Sequence, residues 1–129
     1  MEKQLEDFLI ENWDKTELGQ KYELITNDDG LVSQQYKTEI GIIDILAKDK
    51  KDGKYVIIEL KKNQTSDDTI GQIARYMGWV EVHLSNGVES KGIIIAGKYD
   101  KKLKYAMKKI KGIEVYLYKV DFQLKEYNE

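Results

Sequence analysis

The stretch GIIDILAKDKKDGKYVIIELKK, residues 41–62, decides the fold. Gly41 to Ala47 and Tyr55 to Leu60 are β-branched, mostly apolar runs of strand length, and Lys61 continues the second. The charged segment between them, residues 48–54, contains Asp52-Gly53, a hairpin turn signal. Two such runs joined by such a turn predict an antiparallel hairpin. Each run also holds a carboxylate: Asp44 is flanked by four apolar residues, and Glu59 follows three. Buried charges are costly unless paired or bound to a metal.

Outward from the hairpin, residues 2–14 read as a helix, with Leu5, Phe8, Leu9 and Trp13 at helical spacing and Glu2, Glu6, Asp7 and Glu11 over the rest. Thr16 to Gly19 reads as its end. Tyr22 to Ile25 is a doubtful short strand, Asn27 to Gly30 a turn, and residues 31–37 a strand. After the hairpin, Ser66-Asp67-Asp68 marks a helix cap. The helix runs over 67–83, with Ile70, Ile73, Ala74, Met77 and Val80 as its buried stripe. Gly92 to Gly97 is a wholly apolar run, the pattern of a strand covered on both faces. Residues 101–111 form a helix closed by Gly112, and 113–122 a last strand. Without the doubtful strand the order is αβββαβαβ. This is an α/β (α+β) architecture with a central mixed sheet flanked by helices.

Composition sets the boundaries. At 129 residues the chain has the size of one domain. The absence of Cys removes thiolate chemistry and Cys-based zinc sites, and the single His83 removes a His-rich metal site. His83 itself reads as a surface group or a partner of the helix C-terminus. No apolar run reaches 18 residues, and the acidic, amphipathic start is neither a signal nor a transit peptide. These features predict a cytoplasmic protein with no membrane partner. The formal charge is −2, and the basic set is 20 Lys and one Arg, Arg75. Composition alone favours a small enzyme or a protein-binding domain over a DNA-binding one.

The pattern contests that. Glu59 and Lys61 are two residues apart on a strand and share a face, and Asp44 on the preceding strand can lie beside them. Hard oxygen ligands of this kind suit Mg²⁺ or Mn²⁺, which lower the pKa of water and stabilise charge on a phosphate. Lys61 can position the water. On the following helix Gln72, Arg75, Tyr76 and Trp79 recur at spacings of three and four, and such residues contact phosphates or stack on bases. Other readings stand beside these. Asp44 and Lys61 can form a structural ion pair, Tyr76 and Trp79 can be core, and the lysines of 48–54 and 98–111 can be solvated.

Asp44, fourteen residues, then Glu59-Leu60-Lys61 gives the D…E-x-K signature of the PD-(D/E)xK nuclease superfamily. The wider series GIIDILAKD, GKYVIIELKK, GQIARYMGWV and KGIIIAG resembles the C-terminal nuclease domain of the NucS/EndoMS endonucleases, over residues 3–122. The resemblance implies a restriction-endonuclease-like core and a DNA endonuclease that hydrolyses phosphodiester bonds with Mg²⁺ or Mn²⁺ and acts in DNA repair. It implies that Asp44, Glu59 and the Leu60 carbonyl bind the metal. Lys61 assists the attacking water, Gln72 supports the site, and Tyr76 and Glu6 are accessory. Arg75, Tyr76 and Trp79 are the candidate DNA contacts. DNA is the implied partner, with a homodimer and a separate DNA-binding domain or subunit as further expectations. Residues 1–129 read as a single nuclease-like domain, with no N-terminal DNA-binding domain present. Two alternatives follow from the same residues: a non-catalytic DNA-binding or assembly module with the nuclease fold, or a restriction or junction-resolving nuclease.

Overall fold

The computed structural model describes residues 2–64, 67–119, 121 and 124–127. A first helix, α1 (Glu2–Glu11), leads through a 3-10 turn (Trp13–Lys15) into a short helix, α2 (Glu17–Lys21). Thr16 does not end helical structure but starts α2: its hydroxyl accepts the Gly19 N–H at 3.0 Å, an N-cap bond. Strands β1 (Tyr22–Leu24), β2 (Thr26–Asn27), β3 (Gly30–Leu31), β4 (Gln34–Thr38), β5 (Gly41–Asp49) and β6 (Tyr55–Gln64) follow. Helix α3 (Asp67–His83), strand β7 (Lys91–Lys98), helix α4 (Lys101–Met107) and strand β8 (Ile113–Leu117) complete the order. The expected cap at Ser66 lies outside the described residues.

The central sheet runs β1-β5-β6-β7-β8, with β4 also paired to β5. Its first half is antiparallel, and β6, β7 and β8 are parallel. A mixed sheet flanked by helices is the architecture expected from the sequence. Three details differ. The doubtful strand is real, because Tyr22 to Leu24 pair with the far end of β5. The run 31–37 divides: Leu31 belongs to a separate β2–β3 hairpin closed by Gly30 at φ 116°, and β4 starts at Gln34. The last strand stops at Leu117, and α4 stops at Met107.

Two apolar layers hold the sheet. On one face Ile45, Ala47, Val56, Ile58, Leu60, Ile93 and Ile95 pack with Trp13, Leu18 and Tyr22, and α1 adds Leu5 and Leu9. On the other, Ile43, Leu46, Ile57 and Ile94 pack with Ile73, Tyr76 and Val80 of α3. Strand β7 contributes to both layers, which accounts for its unbroken apolar sequence. Each fully buried Ile contributes roughly 1.5–3 kcal/mol of transfer free energy.

The helix faces turn out differently from the amphipathic reading in one informative way. Phe8 is 65% exposed, whereas Glu6 is 3% exposed. Helix α1 is rotated so that a carboxylate, not the aromatic ring, meets the sheet. In α3 the buried stripe includes Tyr76, and Ala74 is exposed.

Candidate active site

Asp44 sits where β5 loses its neighbours. The β5–β6 ladder pairs Lys48 with Tyr55, Ala47 with Val56, Leu46 with Ile57 and Ile45 with Ile58, and ends there. One further step would place Asp44 opposite Glu59. On the other edge, the β4–β5 ladder pairs Gln34 with Ile45 and Tyr36 with Ile43 and skips the position between, Gln35 and Asp44. The break is filled by a side chain: Asp44 Oδ2 accepts the Leu60 backbone N–H at 2.9 Å. Buried backbone donors need a partner, and here a carboxylate supplies it.

Glu59 lies in the same gap. It is 2% exposed, and among the described residues its Oε1 has no hydrogen-bond partner. Burial, and after it the charge of Asp44, push the Glu59 carboxyl up to about 9, against 4.5 for an ordinary glutamate. Burial also raises Asp44, and the Leu60 N–H partly offsets this. Two carboxyls in contact in a poorly solvated gap cannot both ionise at neutral pH. An unpartnered buried carboxylate oxygen is the exception in folded proteins, and a bound cation would satisfy it.

Lys61, on the same face of β6 as Glu59, is held from α3: its Nζ donates to Gln72 Oε1 at 3.3 Å. Helix α3 follows β6 closely, so its first turns lie over the end of the sheet that carries the carboxylates. From the opposite side α1 brings Glu6. An open cleft of about 270 Å³ lies between α1 and the sheet, lined by Lys3, Glu6, Gln35, Asp44 and Leu60. Glu6 is fixed on both oxygens: Gln35 donates to Oε1 at 2.6 Å, and Gln34 donates to Oε2 at 3.0 Å. Lys3 lies 3.4 Å from the same Oε2.

The structure thus brings together Glu6, Asp44, Glu59, Leu60, Lys61 and Gln72. It separates the four residues of α3 that share a helical face in sequence. Tyr76 is 6% exposed and packs in the core against Gly41, with no free ring face for a base. Trp79 donates its indole N–H to Glu39 at 3.1 Å and lies against the His83 ring, with centroids 4.7 Å apart. Arg75 is exposed. Gln34, Gln35 and Lys3 were not legible as site residues. Polar side chains on an edge strand and on a charged helix carry no distinguishing pattern.

Among the described residues, no group of three or more His, Cys, Asp or Glu forms a metal cluster. The oxygen donors at hand, the Asp44 and Glu59 carboxylates beside the β6 backbone, would suit a hard cation. This fits Mg²⁺, which is commonly held by one or two carboxylates and keeps several waters.

The family described as "Endonuclease NucS C-terminal domain" matches residues 1–124. The chain belongs to this family. It is 30% identical over 95 residues to the Endonuclease NucS of Sulfolobus acidocaldarius, covering 74% of this chain and 33% of that protein. With the Endonuclease NucS of Methanocaldococcus jannaschii it shares 41% over 46 residues, covering 36% of this chain and 17% of that protein. Its fold is similar to that of a repair endonuclease from Pyrococcus abyssi, with a TM-score of 0.71 at 22% identity over 92% of this chain and 46% of that one. The EndoMS chain solved as an EndoMS-dsDNA2 complex gives a TM-score of 0.72 at 20% identity, covering 95% of this chain and 46% of that one. This NucS C-terminal-type chain spans about a third or less of the curated relatives and under half of the solved chains. No helix among the described residues is long and apolar enough to cross a membrane.

Proposed function

We propose that this chain is a divalent-metal-dependent nuclease domain that hydrolyses a phosphodiester bond of DNA and serves in DNA repair. The observation that carries the reading is the Asp44–Glu59 pair, set in a break of the β-ladder, with one buried Glu59 oxygen that has no partner among the described residues.

Asp44 and Glu59 would hold the cation, and the Leu60 carbonyl would serve as a further ligand. The cation supplies positive charge at the phosphate and makes water more acidic. Lys61 would direct its ammonium to the attacking water and the phosphoryl oxygens, and Gln72, whose Oε1 accepts from Lys61 Nζ at 3.3 Å, holds that side chain in place. Glu6 stands across the cleft, where it can accept a hydrogen bond from the same water. Its two glutamine partners hold it there. Tyr76 supports the site from beneath, by packing against the β4–β5 turn. Arg75 remains the candidate phosphate contact on α3. Membership of the NucS family and a structural neighbour solved with double-stranded DNA support DNA as the partner.

The test is a cleavage panel of plain duplex, mismatched, branched and single-stranded DNA with Mg²⁺, Mn²⁺ or chelator. Wild type cuts at least one substrate when metal is present, and Asp44→Ala and Glu59→Ala do not. Metal-independent cutting, or equal cutting by all three proteins, contradicts the reading.

A further inference from the structure

We propose that Gln35 is a positioning residue: its side-chain amide, turned into the cleft by a left-handed backbone, ties Glu6 to Asp44 and sets the plane of the Asp44 carboxylate. The inference rests on the reading of Asp44 as a metal-binding carboxylate.

The backbone gives the first observation. Gln35 has φ 51° in the middle of a strand. Glycine tolerates this region, and Asn and Asp enter it more readily than other residues; a glutamine has no such local compensation. A residue kept there is over-determined by its surroundings, and such positions gather at functional sites.

The side chains give the second. Neighbouring residues of a strand ordinarily point to opposite faces, yet Gln34 and Gln35 both reach the Glu6 carboxylate, at 3.0 and 2.6 Å. The positive φ is what breaks the alternation. The same Gln35 Nε2 lies 3.4 Å from Asp44 Oδ1. A primary amide has two N–H groups and no charge, so it can bridge two carboxylates that would otherwise repel each other.

The third is what happens to Asp44. Its Oδ2 is taken from the β6 side by the Leu60 N–H, and its Oδ1 is approached from the β4 side by Gln35. With one contact the carboxylate can swing about its last bond, but with both its plane is fixed. The skipped Gln35–Asp44 pair in the ladder is the space in which this happens.

The test compares Gln35→Gly and Gln35→Ala with wild type by thermal melting, Mn²⁺ titration without DNA, and steady-state cleavage. Glycine relieves the backbone strain and removes the amide, whereas alanine keeps the strain and removes the amide. Gln35→Gly is expected to melt at or above the wild-type temperature. It should still lose roughly ten- to a hundredfold in Mn²⁺ affinity or in kcat, the scale seen when partners of metal ligands are removed, with KM for DNA unchanged. Gln35→Ala is expected to lose as much and to melt lower. Wild-type Mn²⁺ affinity and kcat in Gln35→Gly overturn the proposal, as does a loss in Gln35→Ala alone, which would track strain and not the amide. If wild type cleaves nothing, the nuclease reading fails, and the Mn²⁺ titration of Gln35→Gly decides about Gln35 on its own.

Discussion

The Asp44 side chain accepts the Leu60 backbone N–H at 2.9 Å, at the point where β5 and β6 stop pairing with each other. That one bond links the two halves of the D…E-x-K signature. It anchors the first carboxylate to the residue that lies between Glu59 and Lys61. It also ends the ladder without leaving the Leu60 donor orphaned, so the strands separate and the gap receives two acidic groups. Removing the side-chain acceptor would leave that N–H unpaired. Asp44→Ala is therefore expected to lower stability by about 1–3 kcal/mol as well as abolish cleavage. Asp44→Asn keeps an acceptor oxygen and is expected to recover most of the stability but not the cleavage. Chemical denaturation of both variants beside an activity assay checks this.

Glu59 predicts an unusual pH dependence of the metal-free protein. Its carboxyl holds a proton up to about 9 in the folded chain, against 4.5 for an ordinary glutamate. Between those values the folded state binds more protons than the unfolded one, so stability falls as pH rises through the window. Glu59→Gln removes the titrating group. In chelator, the variant should match wild type near pH 5 and melt higher near pH 8. A gain of about 1–2 kcal/mol corresponds to roughly 3–10 °C in a domain of this size. Identical pH slopes for the two proteins would show that Glu59 is ionised when folded.

Gln72 touches the candidate site through the Lys61 ammonium, at 3.3 Å, so under the proposed function the two would act in series. Lys61→Ala is expected to lower kcat by roughly 10²–10³-fold, the scale of losing one preorganised charge-stabilising group. Gln72→Ala should cost about tenfold, and the double variant little more than Lys61→Ala alone, because contacting residues do not add. An additive double variant would mean that Gln72 has its own contact with substrate.

Gly41 carries the turn that positions Asp44. Its φ is 142°, and a Cβ there would collide with the Tyr76 hydroxyl. Gly41→Ala is expected to destabilise by about 2–4 kcal/mol through backbone strain and overlap. Adding Tyr76→Phe removes the oxygen and should recover part of that loss. A denaturation series on the single and double variants measures it.

The juxtaposition of Asp44, Glu59 and Lys61 in the candidate site was legible in residues 41–62, because strand alternation puts Glu59 and Lys61 on one face and charged residues inside apolar runs demand a partner. The helix at 67–83 and the doubly covered strand at 92–97 were legible for the same reason, periodicity. Single-residue geometry was not. The 3.6-residue period puts Glu6 and Phe8 on opposite sides of α1 but cannot say that the sheet end covers the side with Glu6 and leaves Phe8 exposed. It equally cannot separate Gln72, Tyr76 and Trp79, which share a helical stripe but meet Lys61, the core and Glu39 in turn. Gln35 was hidden because its role depends on a backbone angle that no composition rule assigns to glutamine.

The most direct measurement is a calorimetric titration of Mn²⁺ into the DNA-free protein at neutral pH, repeated in buffers of different protonation enthalpy. One binding event that releases a proton is predicted, since Glu59 must give up its proton to become a ligand, and it should vanish in Asp44→Ala and Glu59→Ala. Absence of binding to wild type, or binding that survives in both variants, would contradict the assignment of this pair as the metal centre.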